Sequence, residues 1–121
     1  MKCTVVKIGG QLVGDPALLD RVIKEVSMIP RPLVLVHGGG KRAGELCRQL
    51  DIPEQMIDGR RVTDERVLEV AIMTYAGLIN KKIVTAMQQY GMNACGLSGC
   101  DMQVVKARKR PRTDVDWGYV G

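Results

Sequence analysis

Short β-branched runs alternate along this chain with longer stretches in which apolar residues recur every three or four positions. Thr4 to Ile8 is the first run, and Gly9-Gly10 closes it. Asp15-Pro16 then offers a helix cap with proline in the first turn. Leu18, Leu19, Val22, Ile23 and Val26 follow at helical spacing until Pro30 and Pro32 stop the pattern. Leu33 to Val36 is a continuous apolar run, as expected of a strand buried on both faces. A second helix is predicted from Lys41 to Leu50, with Ala43, Leu46, Cys47 and Leu50 facing inward.

Asp58-Gly59, within Met56 to Val62, is a hairpin signal. Thr63 is the predicted cap of a long helix that opens on Asp64-Glu65, acids suited to the positive end of the helix dipole. Its stripe is Val67, Val70, Ala71, Thr74, Leu78, Ile79, Ile83 and Met87, reaching Tyr90, with Gly77 as a candidate kink. Asn93 to Leu97 and Val104 to Ala107 read as further strands, and Trp117 to Val120 as the start of another.

Strand, helix, strand, helix with short connections predicts an α/β fold: doubly wound, with a mainly parallel sheet and helices on both faces. Residues 1–121 form one domain by this reading, with no repeat and no linker. The rhythm breaks off at Gly121 without a closing helix, so the domain is expected to be incomplete at its C-terminus.

Composition narrows the class. At 45% hydrophobic and 26% charged residues the chain is globular rather than disordered. No apolar run approaches the ~20 residues that cross a bilayer. The first strand begins too early to leave room for a signal peptide, so a cytoplasmic location without a membrane partner is expected. Cys3, Cys47, Cys95 and Cys100 form no CxxC pair and His37 is the only histidine, so no metal site is expected. The four thiols read as reduced and packed as small apolar groups. Net charge is +5, but Lys106 to Arg112, "KARKRPR", holds five basic residues and no acid, leaving the rest balanced. With 3% aromatics and no Phe there are few platforms for stacking bases, and no nucleic-acid partner is expected.

The candidate chemistry lies in the glycines. Ligands of open parallel sheets sit beyond the carboxyl ends of the strands. Gly9-Gly10 follows the first strand there, and Gly38-Gly39-Gly40 follows the second, within "VLVHGGGKRAGEL". A glycine costs roughly 0.5–1 kcal/mol against alanine in an ordered element, so three in a row need a reason. Bare N–H groups can approach an oxyanion, and a helix starting near Lys41 adds its positive end. Both turns therefore suit a carboxylate or a phosphate, although a tight turn alone would account for Gly9-Gly10.

Gly38-x-Gly40-x-x-Ala43 also fits the dinucleotide fingerprint, with Asp58 about 20 residues on, but Asp58 lies in a turn instead of ending a strand. Gly40-Lys41 is followed by Arg42, so the nucleoside-triphosphate loop is absent. Lys7 interrupts the apolar Val5-Val6-Lys7-Ile8. It is either an edge charge or an ammonium at the crevice mouth, compact enough to meet a phosphoryl group. Arg60 and Arg61 offer guanidinium forks for a carboxylate, one of them free to be merely solvated. His37 is read as a hydrogen-bonding spacer.

Taken together, "VVKIGG", "LVLVHGGGKRAGEL", "DGRRVTDERVLEVA" and "AGLINKKIV" resemble the N-terminal half of the N-acetylglutamate kinases, within the amino acid kinase family. The resemblance runs from Lys7 through "GLSGCD" to "DWGYVG". Glycine strings alone are shared with carbamate kinases and aspartokinases, whereas His-Gly-Gly-Gly with Arg-Val-Thr before the long helix is more specific. The resemblance implies ATP-dependent phosphorylation of the γ-carboxylate of an N-acyl-L-glutamate, acetyl by default, in arginine biosynthesis. It also implies Mg2+ and a homodimer. By matched position, catalytic Lys7 would contact the transferring phosphoryl, and Gly39 and Gly40 would bind the reacting carboxylate. Gly9, Gly10 and Gly38 would line the phosphate path, and Arg61 would hold the α-carboxylate.

The family's enzymes are about twice as long and hold ATP and Mg2+ mainly in the other half, so this chain alone is expected to be inactive. The helical extension of arginine-inhibited members is missing, which implies no arginine feedback. The chemistry fits on its own terms. A glutamate side chain is ionised at pH 7 and needs no general base. Like charges at ~4 Å repel by about 4 kcal/mol at an effective dielectric of 20, which lysine, oriented amides and a helix start offset. The alternative is a non-catalytic sensor domain that binds an acyl amino acid.

Overall fold

The two β-branched runs pair in parallel. The computed structural model describes residues 2–120, and in it β1 (Thr4–Ile8) lies beside β2 (Leu33–His37), with Lys7 opposite Val36 and Ile8 opposite His37. Between them come α1 (Gly10–Val13) and α2 (Pro16–Ser27). Asp15 caps α2 as expected, its Oδ1 accepting from the Leu18 N–H at 3.0 Å, with Pro16 in the first turn. The sequence reading missed α1, because one turn is too short to display a period.

One face of the strand pair builds the core. Ile8 is buried with Leu19 and Ile23 of α2 and with Ile79, Ile83 and Met92, while Val6 and Leu35 pack against them. Strand alternation sends Val5, Lys7, Val34 and Val36 to the opposite face. There Val34 and Val36 are 48% and 45% exposed, so the run Leu33–Val36 is not buried on both faces among the described residues. The α/β class and the parallel pairing match expectation.

The segments read as later strands do not extend this sheet. Asn93 to Leu97 and Val104 to Ala107 are not strands. A strand needs a neighbouring ladder; in the second segment the Val104 and Val105 N–H groups turn back to the Asp101 and Gly99 carbonyls, and in the first, side chains take two carbonyls. Asn80 Nδ2 donates to the Leu97 carbonyl at 3.2 Å, and Lys81 Nζ donates to the Gly96 carbonyl at 3.3 Å. Trp117 to Val120 makes only a parallel bridge, Thr63 to Gly118, with the Tyr119 N–H donating to the Thr63 carbonyl at 2.7 Å.

Beyond β2, α3 (Gly40–Gln49) buries Ala43 and Cys47 against Val70, whereas Leu50 falls just past the helix and is exposed. β3 (Met56–Ile57) and β4 (Arg60–Arg61) form the expected hairpin. Asp58 and Gly59 turn it with φ of 48° and 73°, the two positive values that a primed two-residue turn requires. The next helix, α4 (Glu65–Ile72), is capped by Asp64 and not by Thr63: Asp64 Oδ1 accepts from the Val67 N–H at 2.9 Å. Thr63 is occupied by the Gly118 segment. Asp64→Ala is expected to lower stability by about 1 kcal/mol in urea unfolding.

Residues Met73–Ile79 then widen into a π-helical segment before α5 (Asn80–Gln89). Wider i→i+5 turns shift the phase of the stripe. Val67, Val70, Thr74, Ile79 and Ile83 are buried, but Leu78 rotates outward. Gly77 lies inside this segment and not at a simple kink.

Candidate functional site

The two glycine turns leave the carboxyl ends of β1 and β2 side by side and touch backbone to backbone. A Cβ on Gly10 would stand 3.3 Å from the Gly39 nitrogen and 3.5 Å from its Cα. Gly39 is extended, with φ of 167°, so conformational freedom does not explain it. Space does. A Cβ there would strike Ile79 Cδ1 and stand 3.0 and 3.1 Å from the Tyr75 ring, both from the π segment. The bulge in the long helix thus packs directly under the turn.

Capping divides the helices into two kinds. Asp15 and Asp64 cap α2 and α4. Gly9 and Gly39 precede α1 and α3 with no side-chain cap and no acid in the first turn. The first N–H groups of α3 therefore remain open to an external anion, at the positive end of a 10-residue helix. Gly9, Gly10, Gly38, Gly39 and Gly40 come together as the sequence suggested, with Gly39 buried and Gly9 and Gly40 exposed.

Arg61 reaches this corner from β4. Its Nη2 donates to the Gly40 carbonyl at 3.0 Å and its Nη1 donates to Tyr75 Oη at 3.3 Å. On the other side Nε lies 2.6 Å from Glu54 Oε1, in an ion pair whose side chains are only 18% and 15% exposed. Mid-helix Gly44 makes room for the pair: a Cβ there would stand 3.0 Å from Glu54 Oε2 and 3.3 Å from Arg61 Nη2. Glycine inside a helix costs about 1 kcal/mol against alanine, and this close approach is what offsets it. Arg60 is exposed, so Arg61 is the placed member of the two.

Lys7 lies near the end of β1 on the open sheet face, beside Val36 and ahead of the Gly9-Gly10 turn. It is exposed and makes no ion pair among the described residues. His37 Nδ1 lies 3.1 Å from the Gly38 carbonyl, which accepts its proton in the Nδ1–H tautomer, as a spacer would arrange. A cleft of about 810 Å3 opens between α1, α3 and α5, with Gly10, Lys41, Arg42 and Lys82 in its lining. Its acids are partly engaged already: Asp15 caps α2 and Glu45 pairs with Arg42 at 3.1 Å.

All four cysteines are free, but only Cys47 is packed as a small apolar group; Cys3, Cys95 and Cys100 are exposed. Burial pushes the Cys47 thiol up, the Glu54 carboxylate pushes it further, and Arg61 opposes them. In the "GLSGCD" loop, hydrogen bonds from the Ser98 N–H and hydroxyl hold the Asp101 carboxyl below the usual carboxylate range. Asp58 sits in the hairpin turn, not at the end of a strand, which removes the dinucleotide reading. Sequence reasoning missed Glu54, Gly44 and Tyr75, and placed Ile79 only in the apolar stripe of the long helix. The need of a buried arginine for a counter-charge is a signal for the first, and nothing in the pattern marks Gly44 or Tyr75.

The sequence profile of the amino acid kinase family matches residues 2–120. Acetylglutamate kinase from Azobacteroides pseudotrichonymphae is 48% identical over 121 residues, covering 99% of this chain and 47% of the relative. The enzyme of that name from Bacteroides fragilis is 46% identical over 120 residues, covering 99% and 46%. That from Rhodospirillum centenum is 36% identical over 133 residues, covering 99% and 44%. Among solved structures, the crystal structure of smu.665 from Streptococcus mutans UA159 matches with a TM-score of 0.63 at 25% identity, over 80% of this chain and 40% of that one. The chain spans about half the length of the curated relatives it matches.

Proposed function

The chain belongs to the amino acid kinase family, and from that premise we propose that it is the acyl-glutamate-binding half of a kinase that phosphorylates the γ-carboxylate of N-acetyl-L-glutamate with ATP. The observation that carries this reading is the uncapped start of α3, set against the Gly9-Gly10 turn and flanked by Arg61. The α-carboxylate of the substrate lies on Arg61, whose terminal nitrogens each keep an N–H beyond the bonds to Gly40 and Tyr75. The γ-carboxylate lies at the open N–H groups around Gly39 and Gly40, with Gly9, Gly10 and Gly38 along the path of the phosphates.

One γ-carboxylate oxygen attacks the γ-phosphorus of ATP. A new O–P bond forms as the bond from that phosphorus to the bridging oxygen breaks, and ADP leaves with the electron pair. No proton moves, because the nucleophile is already ionised. Catalysis is then positioning and charge compensation. The amides of α3 orient the attacking carboxylate, and Lys7 tempers the repulsion between the two anions.

ATP is held mainly by residues outside this chain in this reading. No group of three or more His, Cys, Asp or Glu side chains that could hold a metal comes together among the described residues, so they do not form a magnesium cage. Exposed Ile72 and Met73, at 56% and 50%, support a homodimer through the long helix. Among the described residues no helix is long and apolar enough to cross a membrane. The enzyme is proposed to act in the cytoplasm on arginine precursors.

The test uses a protein carrying this chain at the full length of its relatives. With N-acetyl-L-glutamate and ATP it is expected to form an acyl phosphate that hydroxylamine traps as a hydroxamate. No hydroxamate with any N-acyl-L-glutamate would remove the reading. Lys7→Ala is expected to lower kcat on the order of a hundredfold with little change in either KM. A wild-type turnover would make Lys7 an ordinary surface charge.

A further inference from the structure

We propose that Glu54 is a positioning residue for this site: its carboxylate holds Arg61 from the Nε side and keeps the terminal nitrogens turned toward the start of α3. The inference rests on the function proposed above. Arginine has many rotamers, and a guanidinium that must receive a carboxylate in one geometry binds best when set beforehand. Three contacts set this one, each from a different element. Gly40 of α3 and Tyr75 of the π segment take the terminal nitrogens, and Glu54 of the loop before β3 takes Nε. Arg61 Nε and Glu54 Oε1 are both buried with no hydrogen-bond partner among the described residues, so what compensates the two atoms is their ion pair at 2.6 Å.

The loop that carries Glu54 is itself pinned. The Ile52 N–H donates to the Cys47 carbonyl and the Val62 N–H donates to the Gln55 carbonyl, both at 2.9 Å, which fixes the backbone on either side of Glu54. Gly44 opens the face of α3 to the pair, and Cys47 packs beside it. A carboxylate this close to an anion site could instead compete with the substrate. Its ion-pair contact is to Nε and not to the nitrogens that donate to Gly40 and Tyr75, which favours support over competition. The two roles have opposite consequences for KM.

Glu54→Gln in the family-length protein is expected to raise the KM for N-acetyl-L-glutamate roughly tenfold, with kcat and the KM for ATP within about twofold of wild type. Because Glu54 acts through Arg61, combining Glu54→Gln with Arg61→Lys is expected to be no worse than Arg61→Lys alone. Gly44→Ala keeps both charges but sets a methyl 3.0 Å from Glu54 Oε2, and should reproduce the rise in KM. It serves as the second variant if Glu54→Gln does not fold. An unchanged or lower KM in these variants, or fully additive effects in the double variant, overturns the positioning role while wild-type turnover leaves the kinase reading intact. A wild-type protein that phosphorylates no N-acyl-L-glutamate overturns the function on which the inference rests.

Discussion

Gly39→Val is expected to abolish phosphoryl transfer and to lower stability by about 1–3 kcal/mol, the range for overpacking a filled core. The first branch point of the new side chain falls on Ile79 Cδ1 and against the Tyr75 ring. Ile79 is 3% exposed and packed in the main core, so its methyl has nowhere to retreat. Relief must come from moving the turn. That displaces the amides opening α3, their contact with Gly10, and the Gly40 carbonyl to which Arg61 donates. Urea unfolding and the hydroxamate assay read the two effects separately. Gly9→Ala is the stability control, since a Cβ there meets nothing within 4 Å. Its change in unfolding free energy is expected to stay within about 0.5 kcal/mol. Equal destabilisation by both substitutions would refer the effect to backbone entropy and not to the space under Gly39.

The glycine corner was legible because its signals are local. Two strand-like runs, each followed at once by glycines, place both turns at one sheet end whatever the rest of the chain does, and β1 and β2 do pair in parallel. Asp58-Gly59 and Asp15-Pro16 were legible for the same reason: each forms its turn or cap within four residues. What the pattern hid depends on distant partners. Asn93 to Leu97 reads as a strand, but its Gly96 and Leu97 carbonyls are claimed by Lys81 and Asn80, 15 to 17 positions earlier. Leu78 belongs to the apolar stripe only if every turn is α-helical, and the π segment breaks that assumption.

The site divides along the same line. Gly38 to Gly40 and Arg61 stand out by composition and by resemblance. Glu54 and Tyr75 do not, because a lone acid in a loop and a lone tyrosine in a helix carry no periodic signature. Their meaning comes from a helix bulge and a hairpin converging on the same guanidinium. Lys7 is intermediate: its strand and position are clear, while the group it is proposed to meet is not among the described residues.

Arg61→Ala is expected to raise the KM for N-acetyl-L-glutamate by roughly tenfold to a hundredfold, since hydrogen bonds to charged groups contribute about 1.5–3 kcal/mol each. The substitution also removes the one cation paired with Glu54 among the described residues. Breaking a buried pair costs about 3–5 kcal/mol, and with 18% of the Arg61 side chain exposed the lower end applies. Substrate binding and folding are thus expected to fail together, which makes the alanine variant alone ambiguous. Arg61→Lys separates them. It keeps a cation against Glu54 and recovers part of the stability, yet an ammonium cannot present the planar fork that spans Gly40, Tyr75 and a carboxylate. Initial rates at saturating ATP and varied N-acetyl-L-glutamate should show KM still raised in the lysine variant while urea unfolding moves back toward wild type. If KM recovers along with stability, Arg61 is a strut between the hairpin and α3 rather than the seat of the α-carboxylate.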